Sequence, residues 1–306
     1  MIDYILTTLL IFFISPFLVG LIKSFKMYML FKKPLSPFQP YIDFAKLIKK
    51  EVIYSKEASI ISRIAPFLIL APIIVVIFLL PPIFHGSFYI SFMDAFTITG
   101  LLSLSTFFLM LLGLDSASSF GGIGSSREAF ISALVEPAMI LTIFAVSLMA
   151  KSIGLGSATL NLTNHFPTTH AASFILAGIS FFILLIAENG RIPVDNPETH
   201  LELTMVHEAM ILDTTGANLA LIEMASALKF GIFATLFATL FIPFGANLCW
   251  CLAVGIFILK LILISLIVGW IEINTAKLRL FKVPNLLGIA IIFGFLSLTT
   301  FYILGA

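Results

Sequence analysis

Between Ala187 and Asp213 the chain reads AENGRIPVDNPETHLELTMVHEAMILD and gathers Glu188, Asp195, Glu198, Glu202, Glu208 and Asp213 with Arg191, His200 and His207. Six of the chain's 16 acidic residues fall in this one stretch. Glu198 and Glu202 are four residues apart and share one face of a helix; His200 and His207 are seven apart and share another. Carboxylates spaced a turn apart beside imidazoles suit proton relay, because each takes and passes a proton near neutral pH once burial has raised the carboxylate pKa. The same residue types raise the question of zinc. The order here is HLELTMVHE and not HExxH, so no metal site is expected.

The rest of the chain is almost unbroken hydrocarbon. Of 306 residues, 60% are hydrophobic and 11% charged, with a mean hydropathy of +1.13. Soluble domains carry about 25% charged residues, so the composition is that of an all-α, polytopic membrane protein. A net charge of +1 argues against a nucleic-acid binder. The two cysteines, Cys249 and Cys251, form neither a CxxC nor a four-cysteine set, so no iron–sulfur cluster is expected in this chain. The first apolar run stops at Lys23 and reads as a spanning helix, not a cleaved leader.

Eight runs are long enough to cross a bilayer: 4–22, 64–84, 94–114, 130–150, 171–187, 217–243, 248–270 and 286–304. Lys and Arg concentrate in the loops after the first, third, fifth and seventh runs, which puts those loops in the cytoplasm and both termini outside. The whole chain, 1–306, reads as a single membrane domain with an acidic cytoplasmic loop over 188–216.

Two of the loops carry further pattern. After Ser36-Pro37, a helix-start signal, Tyr41, Ala45, Ile48 and Val52 make an apolar stripe, with Asp43, Lys46, Lys49 and Lys50 on the other face. This is an amphipathic cytoplasmic helix, either an interfacial anchor or a docking element in which Lys46 and Lys49 meet a partner. The stretch LDSASSFGGIGSSREAF reads as a Gly/Ser loop in which Ser126 caps the following helix and Arg127 and Glu128 begin it. It is a flexible connection or a second docking surface. Its glycines do not follow a strand, which excludes a dinucleotide fingerprint.

Charges inside the spans are costly and so are candidates for an ion path. They are Glu136 before Pro137, Glu223, Lys229, Lys260 near the middle of the seventh span and Glu272 at its inner end. Glu136 as a structural ion pair and Lys260 as a snorkelling or paired residue are the plainer readings. Glu223 and Lys229 are six residues apart, so each needs a partner from elsewhere.

The pattern A-E-x-x-R-x-P-x-D, carried by Ala187, Glu188, Arg191, Pro193 and Asp195, resembles the signature loop of the complex I subunit 1 family. The continuation THLELTMVHE resembles the branch formed by the membrane subunit of group 4 membrane-bound [NiFe] hydrogenases. GLDSASSFGGIGSSREAF, the VEP that follows it, and PFQPYIDFAKLIKKE resemble the same branch. Glu198 departs from it, since the branch commonly has an uncharged residue there; this leaves open a partner whose metal chemistry has changed. The resemblance implies eight helices and a membrane-anchor, ion-coupling subunit rather than a complete enzyme. It implies a cytoplasmic hydrogenase-like large subunit with a [NiFe] centre, an iron–sulfur small subunit and antiporter-like membrane subunits as partners. Proton or sodium movement would run through Glu136, Glu223, Glu272 and the loop carboxylates, with Arg191 pinning the loop by bidentate hydrogen bonds. The competing readings are a quinone-site subunit of a complex I-type dehydrogenase and a stand-alone ion transporter. No internal repeat supports the transporter.

Overall fold

The computed structural model describes residues 2–55, 58–81, 94–164, 170–196, 205–245 and 250–305. Eight of its helices are long and apolar enough to cross a membrane. In chain order these are α1 (Ile2–Met29), α3 (Ile60–Leu79), α4 (Ala95–Asp115), α5 (Ser119–Met149), α7 (Ala171–Glu188), α9 (Gly216–Leu240), α10 (Trp250–Asn274) and α11 (Val283–Gly305). Between them lie the shorter α2 (Gln39–Ile48), α6 (Leu155–Asn164) and α8 (His207–Ile211). The eight expected spans are all present. α6, which hydropathy leaves as an outer loop, is an addition. α1 packs on α9 and α10, α3 on α4 and α9, and α5 on α4, α7 and α11. α9 is the most enclosed span, and it is the one that carries Glu223, Ser226 and Lys229.

The structure corrects two helix starts. α2 begins at Gln39, after Phe38, with Pro40 in its first turn, so Ser36-Pro37 precedes the helix instead of capping it. The larger correction is α5. It begins at Ser119, capped by Ser118, whose side chain accepts from the Gly121 N–H at 3.1 Å; Ser126 lies inside the helix and donates to the Ile123 carbonyl. Two glycines of the Gly/Ser stretch, Gly121 and Gly124, face other chain segments at close range within the helix. A Cβ on Gly124 would stand 3.0 Å from Ala209 Cβ and from the Val206 carbonyl, so the residue that weakens the helix lets α8 lie against it.

The four loops expected on one side meet there. The Ile53 N–H donates to Thr215 Oγ1 at 2.8 Å, Arg127 Nη1 to the Met205 carbonyl at 2.9 Å, and the Leu278 N–H to the Pro193 carbonyl at 2.8 Å. Asp115 at the end of α4 joins the same face, its Oδ2 accepting from the Ser59 and Ser62 N–H groups and from Ser62 Oγ.

Candidate functional site

The site is built on the end of α7. Asn189 follows the helix and Gly190 turns it with φ +54°. Gly190 N–H donates to the Ala187 carbonyl and Arg191 N–H to the Ile186 carbonyl, the paired bonds of a Schellman ending. A side chain would strain that φ, which is why AENGR stops the helix where it does. The turn leaves Glu188 on the helix and sends Arg191 inward. Arg191 Nη1 lies 3.4 Å from Glu272 Oε1 on α10, and its guanidinium stands 5.3 Å from the centre of the Phe230 ring. Lys26 of α1 approaches the other oxygen of Glu272 at 2.9 Å. Arg191 therefore ties the loop to a carboxylate through one nitrogen, where the resemblance implied bidentate hydrogen bonds. Glu272, expected on an ion path, is the fixed centre of two cations.

Past the cis Ile192–Pro193 bond, Asp195 organises the next stretch of chain. Its Oδ1 takes Lys277 Nζ at 2.6 Å and the Asn196 N–H at 2.8 Å; its Oδ2 takes the Val206 and His207 N–H groups at 3.3 and 3.2 Å. Two backbone donors at the start of α8 and one lysine leave this carboxylate engaged on every side, a clamp more than a relay. Glu188 pairs with Lys229 of α9 at 2.8 Å. The carboxylates of the three ion-pair groups, Glu272, Glu188 and Asp195, are 0, 6 and 3% exposed, and such burial is tolerable only because each is paired.

Two cavities flank α8. The inner one, about 40 Å³, is lined by Glu128, Glu188, Asp195, His207 and Lys229. The outer one, about 380 Å³, is a vestibule between α1, α2, α8 and α9, lined by Lys23, Asp43, Lys46, Arg191, Glu208 and Glu223 among others. α2 thus turns its charged face to the vestibule and exposes Ile42 and Ile48 on the other side, as an interfacial helix does. Burial pushes the Glu208 carboxyl up to about 7, with Glu223 and Asp195 adding to the rise and Lys23 opposing it. Burial pulls the His207 imidazole down to about 4, against Asp195 and with Lys229, so the ring is neutral at pH 7.

The expected residues divide accordingly. Glu188, Asp195, His207, Glu208, Glu223 and Lys229 converge on the two cavities. Glu128, expected at a docking surface, lines the inner cavity, and Arg127, expected beside it, is bonded to the Met205 carbonyl. Both corrections follow from the early start of α5, which carries the pair onto the face packed against α8. Lys46 lines the vestibule and forms a 3.7 Å pair with Asp43; Lys49 is exposed at the end of α2. Three residues stand apart. Glu136 is half-buried on α5 and lines neither cavity. Asp213 is exposed. Lys260 donates to the Ile242 and Phe244 carbonyls just past the end of α9, where a cation meets the negative end of the helix dipole. Glu198, His200 and Glu202 lie outside the described residues. Sequence reasoning counted Lys23, Lys26 and Lys277 only as markers of sidedness, and it missed Asn189 and Ser226, which no charge or motif singles out.

Eight spanning helices, a loop pinned by Arg191 and Asp195, and charged cavities beneath it define a polytopic membrane protein with buried, paired charges at one end of its bundle. The model of the NADH dehydrogenase family matches residues 7–303, and the chain belongs to that family. Within it, the chain is 30% identical over 273 residues to hydrogenase-4 component C of Escherichia coli (strain K12), covering 87% of this chain and 84% of that one. It is 26% identical to formate hydrogenlyase subunit 4 of the same strain, over 96% of each. It is also 26% identical to an NADH-quinone oxidoreductase subunit of Paraburkholderia xenovorans (strain LB400), over 69% of this chain and 63% of the relative. A chain of the membrane-bound sulfane sulfur reductase, an archaeal respiratory membrane complex, shares the fold with a TM-score of 0.84 at 17% identity, covering 97% of this chain and 98% of that chain. With its eight apolar helices, the protein is a multi-pass protein of a prokaryotic inner membrane.

Proposed function

We propose that this chain is the membrane-anchor and ion-coupling subunit of a hydrogenase-like, complex I-related redox complex. Its cytoplasmic partners are a hydrogenase-like large subunit with a [NiFe] centre and an iron–sulfur small subunit; antiporter-like subunits flank it in the membrane. This chain carries no redox centre of its own. It links electron transfer in the cytoplasm to proton or sodium movement through its buried charges, and the ion-path residues are drawn from Glu128, Glu188, Lys229, Glu208 and Glu223, with Glu136 a candidate at a separate site on α5.

The observation that carries this reading is the junction of loop and span. Asp195 holds the start of α8 and Lys277 together, while Glu188 of the same segment holds Lys229 in the centre of the bundle. A partner that displaces the loop must therefore disturb ion pairs inside the membrane domain, and moving such charges changes which groups hold protons. The vestibule falls within the usual range of small-molecule cavities, roughly 300–1,000 Å³. Its lining mixes Lys23, Asp43, Glu208 and Glu223 with apolar Val19, Leu35, Phe44 and Leu47.

Glu128→Gln tests the reading, since it keeps the shape of the side chain and removes its proton exchange. The complex is expected to assemble and to transfer electrons from a reduced viologen dye, while ion movement per electron in sealed vesicles falls by about tenfold or more. Unchanged ion movement per electron would sink the coupling role of the inner cavity.

A further inference from the structure

The vestibule and the inner cavity are neighbours. Asn189, Gly190, His207 and Ser226 line both, so together they form the wall between them. Of these four, His207 alone has a side chain that can accept a proton on one nitrogen and release one from another. Its backbone is fixed: its N–H is held by Asp195 at 3.2 Å, and α8 lies against α5 at Gly124. Beside it, Asn189 donates to the Leu185 carbonyl at 2.7 Å, while its Oδ1 is buried and has no hydrogen-bond partner among the described residues. A buried amide oxygen without a protein partner needs a water or another donor. The inner cavity, at about 40 Å³, exceeds the roughly 10–15 Å³ that admits a water.

The charge arrangement favours protons over metal cations. In the inner cavity Glu188 is already paired with Lys229 and Asp195 with Lys277. A sodium ion would have to displace a lysine to gain either carboxylate. A proton needs only one acceptor, and Glu128 lies on the same cavity.

We infer that His207 is the proton gate between the vestibule and the buried charge cluster, flanked by Asn189 and Ser226. The imidazole takes a proton from the vestibule side on one ring nitrogen and releases the proton of the other nitrogen to the inner cavity; the ring is then neutral in its other tautomer, and a ring flip resets it for the next proton. Glu208, Glu223, Lys23, Asp43, Lys46, Lys50 and Arg191 face it from the vestibule, and Glu128, Glu188, Asp195 and Lys229 from the inner cavity. The neutral resting state of the ring closes the gate: burial makes protonation there costly and Lys229 adds to the cost, so a shift of Lys229 away from the ring or of Asp195 toward it eases protonation.

This inference rests on the coupling role proposed above, and the test separates the two. The intact complex is reconstituted in sealed vesicles, driven by a reduced viologen dye, and its proton movement per electron is read with a pH-sensitive dye. His207→Ala is expected to reduce that ratio by about tenfold or more while electron transfer continues. Added imidazole, small enough for the vestibule, is expected to restore it in a saturable way, and methyl-substituted imidazoles to shift the pH profile with their own pKa. His207→Gln, which keeps polarity and bulk, is expected to be as defective as His207→Ala. Wild-type proton movement in either variant overturns the gate. So does a loss in an assembled His207→Ala complex that no imidazole relieves, because His207 would then be structural. If His207→Ala does not assemble, the gate stands or falls on His207→Gln. Glu128→Gln is measured alongside: normal coupling there sinks the coupling reading, whereas a defect there with normal His207 variants sinks the gate alone.

Discussion

Glu272 sits between two cations, and removing it is expected to be the most damaging single change at the loop anchor. Its side chain is 0% exposed, with Lys26 and Arg191 at 9 and 8%. Glu272→Leu preserves bulk but leaves both cations without their carboxylate. Breaking a buried pair by deleting one partner costs about 3–5 kcal/mol, because the other charge stays desolvated. For a chain of this size that corresponds to roughly 6–10 °C in Tm, at about 2 °C per kcal/mol. Lys26→Met should be milder. It leaves Arg191 and Glu272 as a neutral pair and forfeits only the 2.9 Å ionic contact of Lys26 with the second carboxylate oxygen, against which the buried methionine gives something back. The double variant keeps a single cation, Arg191, over the face of Phe230 at 5.3 Å, and should therefore melt above Glu272→Leu alone. The assay is thermal unfolding of the detergent-solubilised protein at one fixed scan rate, followed by size-exclusion profile. A Glu272→Leu protein that melts with the wild type would refute the ion-pair reasoning, as would Lys26→Met proving the more damaging change.

The early start of α5 gives a paired contrast at two glycines. A Cβ on Gly122 meets nothing within 4 Å, so Gly122→Ala is expected to stabilise by about 0.5–1 kcal/mol, whereas Gly124→Leu, driven into Ala209 and Val206, is expected to cost about 1–3 kcal/mol. Equal melting temperatures for the two would count against the packing of α8 on α5. Glu208 provides a pH signature. With its carboxyl at about 7 in the folded protein against an ordinary 4.5, it favours the folded state fully below about pH 4.5, and that contribution is lost as pH rises through 7. Its carboxyl band in difference infrared spectra is expected to titrate near pH 7 and to vanish in Glu208→Gln; a band that titrates near 4.5 would contradict the burial.

How much of this was legible beforehand differs between the levels of structure. The eight spans follow from hydropathy alone, because a bilayer demands some 20 apolar residues per crossing and the chain supplies eight such runs. Sidedness followed from Lys and Arg, and the meeting of Ile53 with Thr215 and of Pro193 with Leu278 places those loops together. The partners were not readable. Lys229 meets Glu188 and not its own neighbour Glu223, Lys26 meets Glu272, and Lys277 meets Asp195. Those pairs join residues of distant sequence, and only helix packing brings them within 3 Å. The same holds for Arg127 and Glu128. Their place on a surface or on a cavity wall turns on where α5 begins, and Gly124, which would weaken an isolated helix, is favourable there only because α8 comes close enough to need it. The amino-acid sequence thus determined that charge must be buried in this membrane protein. The tertiary structure decided which charge neutralises which, because in a low-dielectric interior a charge is tolerated only where its partner is already in place.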